Sequence, residues 1–361
     1  MNTGHTARRA TINDVAREAG TGKTSVSRYL NGELEVLSSD LRERIADAIR
    51  QLNYQPNQMA RGLKHGRNRL LGLLLADLTN PYSIGVLQGI EAACHALGYM
   101  PIICHAANEV EMERRYVQLL TTYRVEGVIV NALGVKEQTL RPVDDGGIPA
   151  VLVDRAVERL GADMVGLDND AAVRLGTQHL LERGFDEIHF VVQPFEHVSS
   201  RRLREAAFRD VLRASPTILG DTLVLDLDDD AELERALTVL DQRIVAARDA
   251  GRRIAFFAAN APVALRIALR IAPPIRPGTR PHTALPLNNH DGANGQADVA
   301  LISIDDPEWA DLAGITTIRQ PTYEIGYRAV EFLHERIDGA KHAARECLLP
   351  GELIVRASTR G

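Results

Sequence analysis

Two sets of polar residues in this chain of 361 amino acids have types and spacing suited to chemistry. The first is Lys23, Thr24, Ser25, Ser27 and Arg28, within the stretch TINDVAREAGTGKTSVSRYLNG (11–32). Short hydroxyls and cations at the start of a helix, beside the unpaired N–H groups of its first turn, suit phosphates and base edges. The second set is scattered: Asp77, Asn80, Asn131, Asp154, Arg155, Asn260 and Asp305, each just after an apolar run. Singly, each reads as a helix cap or turn former. Their shared position raises the reading as a ligand site, because open α/β sheets bind ligands beyond the carboxyl ends of their strands.

The elements that must carry the first set are short. Thr11 and Asp14 have the spacing of a capping box, followed by Ile12, Val15, Ala16 and Ala19 on one helical face. Gly20 and Gly22 separate this helix from a second, with Val26, Tyr29 and Leu30 inward, ended by Asn31-Gly32. Ser38 or Ser39 caps a third, whose face is Leu41, Ile45, Ala48, Ile49 and Leu52. The three can share one small core, which frees Lys23, Thr24 and Arg28 to reach into a major groove. Charge agrees: residues 1–70 hold 12 Lys and Arg against 7 Asp and Glu, a net of +5, whereas the whole chain is at −6. A basic head on an acidic body points to a polyanionic partner for the head alone.

From Leu70 onward apolar runs alternate with amphipathic helices: LLGLLLAD (70–77), a helix over 81–99, MPIIC (100–104), a helix over 109–123, VEGVIVN (125–131) and PAVLVD (149–154). A second series follows: helix 171–183, strand 188–192, helix 201–213, strand 222–227, helix 231–249, strand 253–260 and helix 261–272. Repeated βαβ order predicts an α/β fold with parallel sheets, and two series predict two lobes. The Pro-, Gly- and Asn-rich stretch 273–298 reads as a surface loop.

Several chemistries are not supported. No P-loop, GxGxxG after a strand, HExxH or GxSxG motif is present, so no catalytic set is expected and no cofactor. His282 and His290 lack further ligands at metal-site spacing, and DLDDD (226–230) reads as a solvated loop and helix start, so no metal is expected. Three cysteines without a CxxC fit a reducing cytoplasm. Arg8 and Arg9 are not followed by an apolar segment, and LLGLLLA (70–76) is too short to cross a bilayer, so neither a secretory signal nor membrane attachment is expected.

The stretch TINDVAREAGTGKTSVSRYLNG, with LNYQPNQMARGLKHG at 52–66, resembles the head of the lactose-repressor (LacI/GalR) family. DLTNPYSIGVLQGIEAACHALGY, EGVIVN, VLVDR, RRLREAAF, FFAAN and ISIDDPEWADLAGITTIRQPTYEIG carry the resemblance through the body. It implies a helix-turn-helix head over 1–66 with a recognition helix at about 22–30 and a hinge helix at about 56–64. DNA contacts would then come from Thr11, Lys23, Thr24, Ser25, Ser27, Arg28, Asn31, Asn57, Ala60 and Leu63, with Leu63 wedged into the minor groove. For 67–361 it implies a two-lobed periplasmic-binding-protein fold, one lobe at about 69–165 and 321–345, the other at about 166–320 and 346–361.

Carried over by motif, an effector between the lobes would touch Tyr82, Asn131, Asp154, Arg204, Asn260 and Asp305. Trp309 reads equally as a cleft wall or as core. The family places Asp after its AN; here Ala261 follows, which puts a contact or cap role near Asn260 in question. The resemblance implies a homodimeric regulator, most often a repressor, on near-palindromic operator DNA. One arginine with carboxylates and amides suits a sugar or sugar acid, and the 304–326 segment is similar to regulators of gluconate and ketogluconate use. A purine-responsive repressor is the alternative, though aromatics make up only 4% of the chain and leave few stacking walls. A sugar-binding transport protein would need a signal peptide and no head. A sugar-modifying enzyme would show effector turnover.

Overall fold

A computed structural model describes residues 10–55, 67–131, 137–155, 161–196, 198–271 and 299–360. The chain divides into two units, 1–69 and 70–361.

The first unit holds helices α1 (Ile12–Glu18), α2 (Lys23–Leu30) and α3 (Ser39–Gln51). The capping box forms: Asp14 N donates to Thr11 Oγ1 at 3.4 Å, and Thr11 N donates to Asp14 Oδ2 at 2.9 Å. Gly20, at φ 61°, lets the chain leave α1 in the left-handed region that glycine adopts without strain. Ser38, not Ser39, caps α3 through Leu41 N. Val15, Ala16, Ala19, Val26, Leu37, Ile45 and Ala48 form the buried core. Each helix is too short to be stable alone, so this shared core is what holds them.

The second unit contains two six-stranded sheets. The first is built from β1 (Leu70–Leu75), β2 (Met100–His105), β3 (Gly127–Asn131), β4 (Ala150–Val153), β5 (Asp163–Leu167) and β11 (Glu346–Leu349), in the order β2-β1-β3-β4-β5-β11. All its pairings are parallel. Helices α4 (Pro81–Leu97) and α12 (Thr322–Ile337) cover one face; α5 (Val110–Thr122) and α6 (Glu137–Asp145) cover the other. The second sheet runs β7 (Thr222–Val224), β6 (Glu187–Val192), β8 (Ile254–Ala258), β9 (Val299–Ile304), β10 (Thr316–Arg319), β12 (Glu352–Ile354), with only β12 antiparallel. Helices α7 (Asn169–Glu182) and α8 (Ser199–Ala214) lie on one side of it, α9 (Asp230–Asp249) and α10 (Ala261–Ile271) on the other. Covered on both faces, the central strands are continuously apolar, as in LLGLLL and IAFFA.

The strand series therefore forms as the sequence predicts, with β5 and the C-terminal strands added. The segment 346–361 does not go to the second lobe as a whole. Glu346–Leu349 pairs in parallel with Met164–Leu167 in the first sheet, and only then does Glu352–Ile354 join the second. Trp309, on the short helix α11 (Glu308–Leu312), is partly buried against the core of the second lobe and does not line the cleft.

α4 and α12 approach so closely that glycine is required at the crossing. A Cβ on Gly326 would fall 2.0 Å from Val86 O, and one on Gly89 would fall 1.9 Å from Tyr323 O. Backbone is the obstacle in both cases, so a small side chain forces the helices apart. Gly326→Ala is expected to lower stability by about 1–3 kcal/mol, read as a drop in melting temperature. An unchanged melting temperature would mean the helices separate without loss.

Candidate functional site

In the head, α2 has one buried residue, Val26, which fixes the helix to the core. Lys23, Thr24 and Arg28 are exposed, and Ser25 and Ser27 are partly so. The N-cap, Gly22, makes no side-chain cap, and the first turn holds no acidic residue. The N-terminal end of α2 therefore presents N–H groups, hydroxyls and Lys23 together, an arrangement matched to phosphate oxygens and base edges. Arg28 approaches Glu33 at 3.9 Å with both side chains about half exposed. Thr11 uses its hydroxyl within the capping box, where Oγ1 also donates to Asp14 Oδ2 at 2.7 Å. Asn31 Nδ2 donates to Glu33 Oε1 at 3.5 Å. Asn57, Ala60 and Leu63 lie outside the described residues.

In the body, both sheets have the order 2-1-3-4-5, whose crossovers reverse direction between β1 and β3 and between β6 and β8. Loops at such a reversal leave a crevice at the carboxyl ends of the strands. A cavity of about 380 Å³ occupies that position. Tyr82, Asn131, Asp154, Arg204, Asn260 and Asp305 all line it, as do Asp77, Asn80 and Arg155.

Asn80 caps α4 through Tyr82 N (3.0 Å), and Pro81 opens the helix, so the Tyr82 ring is held by the first turn. Tyr82 Oη is buried and has no hydrogen-bond partner among the described residues. Burial, and then the nearby Asp154 charge, push its pKa well above the usual tyrosine range, so the hydroxyl stays protonated and is available to donate. Asn131 Nδ2 donates to Val153 O at 2.9 Å.

Asp154 and Asp305 follow β4 and β9 and both take positive φ, 53° and 77°. Aspartate tolerates this region better than most residues, and the bend turns each carboxylate back over its strand end. Asp154 Oδ1 accepts from Leu167 N (2.9 Å). Asp305 Oδ2 accepts from Ala261 N (2.9 Å), and its Oδ1 accepts from Gln320 Nε2. Burial raises the Asp305 pKa, opposed by the Arg204 charge and these hydrogen bonds. Asn260 Oδ1 accepts from Val263 N (3.1 Å) and so caps α10, while its Nδ2 donates to Gln193 Oε1 (2.7 Å). Ala261 in place of Asp thus leaves the cap at Asn260 intact.

Arg204, on α8, is buried and doubly anchored: Nε donates to Asn169 Oδ1 (2.6 Å) and Nη1 to Ala259 O (2.7 Å). It is not the only guanidinium at the site. Arg155 and Arg201 line the same cavity, with Ser200, Gln193 and Gln320. Gln320 Oε1 is buried with no partner among the described residues. Arg155 is one of the strand-end residues; of the others, Arg201 alone had a signal, its three-residue spacing from Arg204 on one helix face. DLDDD divides: Asp229 caps α9, whereas Asp226 and Asp228 line the cavity.

Residues 11–57 match the bacterial regulatory proteins of the lacI family. Residues 68–240 match the periplasmic binding proteins and sugar binding domain of the LacI family, and 297–359 the periplasmic binding protein-like domain. The HTH-type transcriptional regulator PtxS of Pseudomonas aeruginosa is 40% identical over 353 residues, 97% of this chain and 96% of that protein. The chain belongs to the LacI family. The HTH-type transcriptional regulator KdgR of Bacillus subtilis is 32% identical over 99% of this chain and 98% of its own. The Lac repressor dimer bound to operator and the anti-inducer ONPF has the same fold, with a TM-score of 0.77 at 24% identity over 98% of this chain and all of that one. The transcriptional regulator CelR–cellobiose complex gives a TM-score of 0.63 at 25% identity, covering 97% of this chain and all of its own. The protein is a LacI-family, DNA-binding transcriptional regulator, not an enzyme. No described helix is long and apolar enough to cross a membrane.

Proposed function

We propose that this regulator is a cytoplasmic, homodimeric repressor of near-palindromic operators, with α2 in the major groove and a sugar or sugar acid in the cleft setting its operator affinity. The observation that carries the effector reading is the convergence of Tyr82, Asn131, Asp154, Arg204, Asn260 and Asp305 on one cavity of about 380 Å³, from strand ends of both sheets and the helices α4 and α8. Carboxylates and amides match vicinal hydroxyls, and a fixed guanidinium matches a ring oxygen or carboxylate. The cellobiose bound to CelR supports a saccharide ligand in this fold. A purine fits less well, because Tyr82 is the one aromatic among the described lining residues.

The effector binds the two states of the protein unequally and so shifts the population that holds DNA. Titration calorimetry with gluconate, 2-ketogluconate, neutral hexoses and hypoxanthine tests this; tight binding of the purine alone overturns it. Asp305→Asn preserves a residue that tolerates φ 77° but removes the charge. It is expected to weaken the bound polyol roughly 10- to 100-fold, as charge-assisted hydrogen bonds are lost. An unchanged Kd would remove Asp305 from the site.

A further inference from the structure

The second lobe has another cavity, at the end of its sheet away from the cleft. Asn260 and Asp305 stand beyond the carboxyl ends of β8 and β9, whereas Arg253 precedes β8 and Val299 opens β9. Arg253 and Val299 line a hollow of about 150 Å³ with Ile244, Arg248, Gly251 and Arg252. No described acidic residue lines it. Nothing lies within 4 Å of where a Cβ on Gly251 would stand, so the wall is open there.

The three arginines are engaged to different extents. Arg252 Nε donates to Glu187 Oε2 (2.9 Å), a carboxylate whose other oxygen meets His189 Nε2 (2.8 Å). Arg248, exposed on the last turn of α9, makes no ion pair among the described residues. The Arg253 guanidinium is fixed: it lies 4.4 Å from the centre of the Phe185 ring, and its Nη1 donates to the carbonyl oxygens of Arg183 and Gly184. Its Nε and Nη2 are buried and have no partner among the described residues. Those two nitrogens form the edge of a guanidinium that gives parallel N–H···O bonds to an oxyanion. Of the remaining charges, Asp186 is exposed, and its Oδ2 accepts from Arg253 N (2.9 Å). The last carbonyls of α9 are met by its own chain, Ala246 O by Ala250 N and Ala247 O by Arg252 N, which blunts the negative end of that helix.

We propose that Arg248, Arg252 and Arg253 form a second ligand site, separate from the effector cleft, that takes a phosphate group, either free or as the monoester of a small metabolite. Charge decides the class. One of the three cations has a carboxylate partner, and the other two call for a dianion. A phosphate brings nearly two negative charges and three acceptor oxygens, where a carboxylate brings one charge and two oxygens. The hollow is well under the roughly 300–1,000 Å³ of sites that enclose a whole ligand. It holds the phosphate itself, and the carbon chain of an ester leaves past Gly251, beside Ile244 and Val299. Binding joins the end of α9 to the starts of β8 and β9, and so stabilises the second lobe.

The test is titration calorimetry on the full chain with inorganic phosphate and with glycerol 3-phosphate, each against sodium chloride of equal ionic strength, with melting temperature read alongside. Both probes are expected to bind, and to raise the melting temperature where chloride does not. Arg248→Gln, a change at an exposed side chain, should weaken them roughly 10-fold. Arg253→Lys keeps the charge but loses the fork and should cost a similar factor. Arg201→Gln, in the cleft, should leave phosphate binding as it is. Tighter binding of the ester supports the site as one for a phosphorylated metabolite, and tighter binding of inorganic phosphate supports it as one for the free ion. No binding beyond that of chloride overturns the proposal. So does binding that survives both the Arg248 and the Arg253 variants, or that is lost in Arg201→Gln, because the phosphate would then sit elsewhere.

Discussion

Asp163→Ala is expected to destabilise the body by about 3 kcal/mol, because it removes the buried carboxylate that Arg336 and Arg345 share, although Arg345 keeps Glu335. Asp163 opens β5 and is fully buried. Arg336, on α12, donates from Nη2 to Oδ1 (2.7 Å) and from Nε to Oδ2 (2.9 Å). Arg345 adds its backbone N–H (2.8 Å) and Nη2 (3.1 Å), and its guanidinium lies 3.7 Å from the centre of the Phe332 ring. One carboxylate thus ties β5 to the helix and the strand that complete the first sheet. Burial pushes the Asp163 pKa up, but the bonds from Arg336 and Arg345 outweigh it and hold it at about 2. A pKa depressed in the folded state means a contribution that is present above the unfolded value and fades as pH falls from about 4 towards 2. The shift corresponds to about 2 kcal/mol. Urea titrations at pH 7 and pH 3 read both effects: wild type should lose stability between them, and Asp163→Ala should lose less. Equal pH sensitivity of the two proteins would refute the assignment.

Lys23→Ala is expected to weaken a specific operator by about 1–3 kcal/mol for each head engaged, and to change which base is preferred at one position of each half-site. Arg28→Ala should act differently, weakening all sequences and lowering the salt slope of binding by about one for each head. The distinction follows from position. Lys23 leads the first turn of α2, where side chains reach base edges, and Arg28 lies in its last turn. Fluorescence anisotropy with operator and scrambled duplexes over a salt series separates the two. A Lys23 variant that loses affinity equally for both duplexes would make it a phosphate contact.

Much of this was legible because short-range chemistry leaves local signatures. Thr11 and Asp14 announce the first helix by their spacing, and the inward residues of α1, α2 and α3 follow a 3.6-residue period. Strand ends were as legible: once LLGLLLAD, VEGVIVN and PAVLVD are read as strands, Asp77, Asn131 and Asp154 must gather at one edge of a parallel sheet. The return of Glu346–Leu349 to the first lobe was not legible, because strand periodicity does not say which sheet a short strand joins. Gln193, Ser200, Arg201 and Gln320 were missed for a related reason. They sit on loops and a helix start, where turn formers and ligand contacts have the same composition. Arg201 thereby joins Arg155, a strand-end residue, and Arg204 at the cleft.

The chain crosses between the sheets three times, at 167–169, 319–322 and 349–352, so neither lobe is a continuous piece of sequence. A ribosome delivers these parts in order. The three helices of the head are complete once residue 55 has emerged, whereas the first sheet waits for its edge strand at 346–349. At about 5–20 residues per second, the gap is on the order of tens of seconds. Throughout it, a folded helix-turn-helix rides on an unfinished sensor. A message cut short just before residue 346 would therefore yield a chain whose head still folds and whose first sheet lacks its edge strand.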